Sequence, residues 1–232
     1  MDPAGFTVLD AHLMPARLTP YVQACGGDVA KARRLYVWNI EISAAFWGPV
    51  SSVEIAFRNA VHRELAAHRG RPDWWNDPQL PAQDVDKARV EEARLQRLRS
   101  RSRQPPATAD DVVAALSFGF WSSVLNGPGT AFEQNRFWHT CLYRAFPYWH
   151  YRPGTSGRKE FTRRVELLRK FRNRIAHHEP LHRRDLARDH QSLVAMAGFI
   201  DPGLGAFVDS HSRVSATLAR RADAVDNGQC QF

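Results

Sequence analysis

The segment Phe171-Arg172-Asn173-Arg174-Ile175-Ala176-His177-His178-Glu179-Pro180 decides how the chain is read, because it closes a strong helical pattern running from Lys159 to about His178. On a wheel of about 100° per residue, Phe161, Val165, Leu168, Ile175 and Ala176 gather on one face, as a core-facing helix requires. Arg172 falls in the middle of that stripe. A guanidinium stays charged, so burying it calls for an answering carboxylate or a cleft that admits an anion. Asn173 and His177 are i, i+4 neighbours and Arg172 flanks Asn173, so the three side chains are expected to share one shallow arc. Pro180 disfavours helical geometry at Glu179 and lacks the next amide, so the helix stops just past the histidines. The carbonyl end of a helix favours positive charge there. A permanent cation beside a titratable ring is what cleavage of an RNA phosphodiester requires. A buried arginine paired with a core acid, followed by a helix-ending histidine, accounts for the same residues without any chemistry.

Upstream, Asp28 after Gly26-Gly27 is placed to cap a helix from Val29 that carries Ala32, Leu35, Tyr36, Trp38, Ile42, Ala45 and Phe46. Gly48-Pro49 is expected to kink or break it. A second pattern, Val50, Val53, Phe57, Val61 and Leu65, then runs to Gly70. Glu54 and Arg58 flank that stripe at i, i+4, either as a local ion pair or as the border of the cleft that holds Arg172. Trp74-Trp75 are read as core anchors. Residues 81–103 form a charged helical pattern ending in Arg94, Arg97, Arg99, Arg101 and Arg103, a solvated face or an arm that tracks an RNA backbone.

Thr108-x-x-Asp111 opens a helix to about Asn126 with Phe118, Phe120 and Trp121 inside, and residues 133–146 form a shorter one. A polar loop over 152–157 leads into the motif helix. Downstream, Asp185 caps a helix from Leu186 to Ile200, and a weaker pattern covers about 205–224. No period-two run or hairpin signal interrupts this series, so the expected class is all-α.

The 232 residues carry a formal charge of +8 and a pI near 9.9, mostly through arginine, which points to a polyanionic partner such as nucleic acid. Cys25, Cys141 and Cys230 are odd in number and widely spaced, which argues against a disulfide framework or a zinc knuckle and for reduced thiols in a cytoplasmic setting. No apolar run approaches the roughly 18 residues a membrane helix needs, and the first residues lack a secretory signature, so no membrane partner is expected. His177, His178, Glu179 and His182 raise metal hydrolysis as a rival. Pro180 breaks the helix between them, so neither a metal nor a cofactor is expected.

Arg172, four residues opening with Asn173, and then His177 resemble the R-x(4–6)-H motif of HEPN domains. The fuller string Arg172 to His178, followed by Leu181, Arg184, Asp185 and Leu186, is similar to the abortive-infection (Abi-like) branch of that group. Upstream blocks carry the resemblance over roughly residues 20 to 202: Cys25-Gly26-Gly27-Asp28, Leu35-Tyr36, Trp38-Asn39, Glu54, Arg58-Asn59, Trp74-Trp75 and Leu116-Ser117-Phe118-Gly119-Phe120-Trp121. It implies an all-α, HEPN-like helical bundle with additional helices: a lead-in at 1–27, the domain at 28–202, and a C-terminal helix and tail at 203–232.

The activity it implies is metal-independent endoribonuclease action in abortive-infection antiphage defence. Arg172 would stabilise transition-state charge, His177 would move the proton and Asn173 would orient it, with His178, Arg174, Glu54 and Arg58 as supporting or RNA-binding candidates. In that group two motifs face each other across a dimer, so a homodimer with a composite site acting on RNA is expected, with any regulatory partner left open. Glu179 stands where some HEPN toxins carry a tyrosine, so inhibition by modification of that tyrosine is not expected. The alternatives are a non-catalytic RNA- or nucleotide-binding helical module and a purely structural helical protein.

Overall fold

The computed structural model describes residues 11–13, 15–80, 82–126, 136–150 and 155–230, and every regular element among them is helical, without a strand. The order is α1 (Pro15–Ala24), α2 (Val29–Arg69), a 3-10 turn (Trp74–Asn76), α3 (Ala82–Arg101), α4 (Ala109–Ala115), α5 (Phe118–Asn126) and α6 (Arg136–Thr140). A second 3-10 turn (Leu142–Ala145) follows, then α7 (Thr155–Ala176), α8 (Leu186–Ile200), α9 (Pro202–His211), α10 (Val214–Ala219) and α11 (Arg221–Asn227). Among the described residues no helix is long and apolar enough to cross a membrane, and Cys25, Cys141 and Cys230 are free thiols.

Capping chemistry sets several of these boundaries. Asp28 Oδ1 accepts from Lys31 N at 2.9 Å and starts α2 where expected. The helix then runs for 41 residues with Pro49 inside it, so of the kink or break expected at Gly48-Pro49 the break does not occur. An interior proline costs about 3 kcal/mol. Against it stands an apolar stripe that keeps its phase across the proline, with Phe46, Val50, Val53 and Phe57 all buried.

The helix expected from Thr108 to Asn126 is two helices. Thr108 and Asp111 form the anticipated capping box of α4, but Leu116 is extended and Ser117 Oγ accepts from Phe120 N at 3.3 Å, which starts α5 anew. Within the expected 133–146 helix, residues 133–135 lie outside the described residues, and the rest is α6 and a 3-10 turn separated at Cys141. Residues 152–154 of the anticipated polar loop also lie outside them, and α7 has already begun at Thr155. The weak pattern at 205–224 resolves into α9, α10 and α11, the first capped by Asp201 Oδ1 on Gly203 N and Leu204 N.

The chain divides into two compact units, each made of separated segments. The first comprises Met1–Ser51, Lys170–Val194 and Phe207–Phe232, and the second Ser52–Arg169 and Ala195–Ala206. The long helices α2 and α7 each contribute to both. In the first unit Trp38, Ile42, Phe46, Phe171, Leu181 and Leu193 are buried, with the rings of Phe46 and Phe171 meeting edge to face at 4.8 Å. In the second, Trp74 and Trp75 are fully buried as expected, Trp74 Nε1 donating to His62 Nδ1 at 3.2 Å and Trp75 Nε1 to Glu92 Oε2 at 2.9 Å. The basic run on α3 is partly neutralised within this unit: Arg94 pairs with Glu91 and Arg99 with Asp111, whereas Arg97, Arg101 and Arg103 are exposed.

Candidate functional site

The end of α7 is built by its own backbone. His178 N bonds the carbonyl of Ile175 at 3.0 Å and Glu179 N bonds that of Arg174 at 2.9 Å. These are the two crossed bonds of a Schellman closure, with His177 as the C-cap and His178 in the left-handed position. His178 has φ +56°, a conformation that usually falls to glycine. An ion pair of 3.2 Å between Arg174 Nε and Glu179 Oε2, with Arg174 Nη1 near the carbonyl of Pro180 at 3.4 Å, joins the two positions where an apolar contact often accompanies this closure. Arg174 is therefore a capping residue as well as a surface cation.

Phe161, Val165, Leu168, Phe171 and Ile175 are buried, so the predicted apolar stripe is present. Arg172, which shares that face on the wheel, is half-buried rather than buried. Phe171 joins the stripe, while Ala176 is only half-buried. The Arg172 guanidinium lies 5.9 Å from the centroid of the Trp47 ring, within cation–π range, which places the charge beside that indole.

Asn173 is half-buried and its carbonyl accepts from His177 N at 2.8 Å, the last backbone bond of the helix to run i to i+4. His177 and His178 are exposed, and no hydrogen bond among the described residues holds the His177 ring. Five residues along a helix turn it by about 140° and advance it by about 7.5 Å, so His177 leaves the helix well round from Arg172, with Asn173 between them.

The loop after the motif is held from several sides. Asn39, 3% exposed on α2, accepts from Leu181 N at 2.6 Å through its side-chain oxygen. The Arg17 guanidinium donates to the carbonyl of His178, and Arg183 Nη2 donates to that of Pro20 at 3.3 Å. His182 is turned into the unit, its ring 4.9 Å from that of Tyr21, and burial together with Arg183 and Arg221 lowers its pKa. With His182 inward and His177 and His178 outward, the three do not converge as metal ligands. Among the described residues no group of three or more His, Cys, Asp or Glu is placed to hold an ion. His190, the other buried histidine here, has Nδ1 4.0 Å from Asp209 Oδ1, and its pKa is lowered by burial against the opposing pull of Asp209. Arg184 chelates Asp189 through two bonds of 2.7 Å and lies over Phe171, so its role is structural.

Glu54 and Arg58 belong to the second unit, where Arg58 Nη1 donates to the carbonyl of Ala114 at 3.0 Å. Two residues of the first unit were not singled out by reasoning from the motif. Asn39 entered only as part of a resembling block, and its buried amide gave no periodic signal. Trp47 was passed over although it stands out of phase with the buried stripe at Phe46, Val50 and Val53, which is the signal that would have found it. No protein-family model, no curated protein and no solved structure matches the chain.

Proposed function

We propose that the chain is a metal-independent endoribonuclease of the HEPN kind that acts as a two-fold dimer. The observation carrying this reading is the end of α7, where a guanidinium beside an indole and an exposed imidazole leave the same helix end five residues apart. In the reaction the ribose 2′-oxygen attacks the adjacent phosphorus while its proton passes to a base. The bond from phosphorus to the 5′-oxygen breaks and that oxygen takes up a proton, leaving a 2′,3′-cyclic phosphate and a 5′-hydroxyl. His177 moves these protons, a task suited to a side chain whose ordinary pKa lies near neutrality. Arg172 offsets charge gathering on the phosphoryl oxygens, and Asn173 orients the ring or a phosphate oxygen.

The turn of about 140° between Arg172 and His177 favours a composite site, in which each subunit supplies one of the two groups to a shared groove. The setting we propose, from the Abi-like resemblance, is abortive-infection defence.

Incubation with RNA followed by mapping of the ends tests the reading. Cyclic phosphates and 5′-hydroxyls are expected, unaffected by EDTA, and lost in Arg172→Ala and His177→Ala. Mixing these two variants separates the arrangements. If each site takes Arg172 from one subunit and His177 from the other, the mixed dimer regains one intact site and some activity. If a site uses both groups of one subunit, mixing restores nothing. A parent protein that binds RNA but cleaves none would be a binding module.

A further inference from the structure

Of the seven tryptophans, Trp38, Trp74, Trp75, Trp121 and Trp138 are buried and Trp149 is half-buried, while Trp47 is 44% exposed. It sits in the middle of a long helix rather than in a loop. Its neighbours on that surface are small: Ala44 and Gly48 are both exposed, and a Cβ added at Gly48 would meet no heavy atom within 4 Å. Ala44 and Gly48 give the indole no bulky cover, and the guanidinium of Arg172 lies 5.9 Å from its ring centroid.

An exposed indole normally carries an energetic penalty, and a contiguous apolar patch around it would mark the core of a protein interface. Here the indole is bordered by small residues and an arginine. A flat π surface coupled to a fixed cation complements a nucleobase and the phosphate that follows it in single-stranded RNA.

We infer that Trp47 is a base-stacking platform, positioning one unpaired base of an RNA strand so that an adjoining phosphate meets Arg172. The inference rests on the nuclease reading for the identity of the strand, but the platform itself is independent of cleavage. Stacking tolerates any base, since each presents a π face, so this site contributes affinity and register with little sequence choice.

The test uses a 2′-O-methyl oligonucleotide, which lacks the attacking hydroxyl and so reports binding alone. Binding is expected to quench indole emission in the parent protein. Trp47→Leu is expected to lose that quenching and to bind about tenfold or more weakly. Trp47→Phe, which keeps an aromatic face, should retain most of the affinity, and an oligomer with abasic sites should bind the parent as weakly as the normal oligomer binds Trp47→Leu. Unchanged affinity in Trp47→Leu overturns the proposal, as does failure of the parent to bind the oligomer. So does conversion of a dimeric parent to a monomeric Trp47→Leu, which would assign the indole to a second copy of the chain. Quenching without RNA cleavage leaves the platform standing and removes the nuclease. Cleavage with unaltered Trp47→Leu does the reverse.

Discussion

The two units place different kinds of groups in their interiors. The second unit is an aromatic cluster: Phe57 meets Phe118 and Phe146 at 5.4 Å each, and Phe146 meets Phe161 at 4.3 Å. Its buried side-chain donors without partners include the indole nitrogens of Trp121 and Trp138, groups that keep the same charge at any ordinary pH. In the first unit the corresponding atoms are the Tyr21 hydroxyl, one Glu41 oxygen, both His182 nitrogens and His190 Nε2, which are all titratable. One region leaves neutral indoles unpartnered in its interior. The other, which carries the motif, accepts buried acids and bases around the helix end that presents His177.

The strongest way to break this contrast is to empty the aromatic cluster. Phe57 is fully buried at its centre, and Phe57→Ala is expected to destabilise the protein by about 3–5 kcal/mol, read from the urea midpoint followed by circular dichroism. Next in size is a change that acts on the proposed chemistry and little on the fold. Arg172→Ala should lower the cleavage rate by about 10²–10³-fold, as loss of one charge-stabilising donor does elsewhere. Its urea midpoint should stay close to the parent's, because the group is only half-buried. Arg172→Lys keeps the charge but not the planar fork, so a rate between the two is expected. A fall in stability as large as that of Phe57→Ala would mean that Arg172 belongs to the core.

Acid is the third lever. Burial lowers the pKa of His182 in the folded chain, so between that value and the ordinary histidine value near 6.5 the unfolded chain binds more protons. Stability is therefore highest above that range and declines as pH falls through it. His182→Phe fills the same place against Tyr21 with no nitrogen to protonate. It is expected to flatten the pH dependence and to raise stability by roughly 1–2 kcal/mol at the acid end. His62 in the aromatic unit offers the comparison, because its pKa is also lowered but its Nδ1 already accepts from Trp74. His62→Phe removes a used acceptor and should destabilise instead. Urea titrations of both variants at pH 5 and pH 7.5 decide whether the orphaned nitrogens carry the difference.

The parts of this architecture that periodicity and capping encode were readable from the residues alone. The stripe of α7, the cap at Asp28, the capping box at Thr108 and the burial of Trp74-Trp75 follow from local rules that the tertiary structure leaves in force. Pro49 does not end α2 because its cost is local while the stripe that overrides it spans both sides. Arg172 shares the face of Phe161 and Val165 on the wheel but stands only five residues from the cap of α7, where it is half-buried. The contact of Arg172 with Trp47 joins residues far apart in sequence, and no periodic pattern in either helix announces it. The division into two units cuts α2 and α7 within continuous helices, where composition gives no mark.

The smallest predicted effect bears most directly on why a histidine closes α7. A left-handed glycine ends α2, where Arg71 N makes the outer bond of such a closure to the carbonyl of Ala66 at 3.1 Å and Gly70 takes φ +69°. The crossed closure itself also ends α3, where Arg103 takes φ +52° and Gln104 N bonds the carbonyl of Arg99 at 2.9 Å. A side chain in this region costs about 1 kcal/mol relative to glycine, part of which is returned because glycine loses more freedom on folding. Gly70→Ala should therefore destabilise by up to about 1 kcal/mol, since a Cβ there meets open space and only the backbone conformation opposes it.

His178→Gly and Arg103→Gly should stabilise by up to a similar amount, each read from the thermal midpoint. The decisive readout is cleavage. Arg103→Gly is expected to leave the rate unchanged, so strain at that cap is incidental. If His178→Gly is more stable and cleaves more slowly, the left-handed histidine is a retained strain that holds an imidazole at the site. If it is more stable and equally active, His178 does no more than end the helix, and the chemistry rests on Arg172, Asn173 and His177.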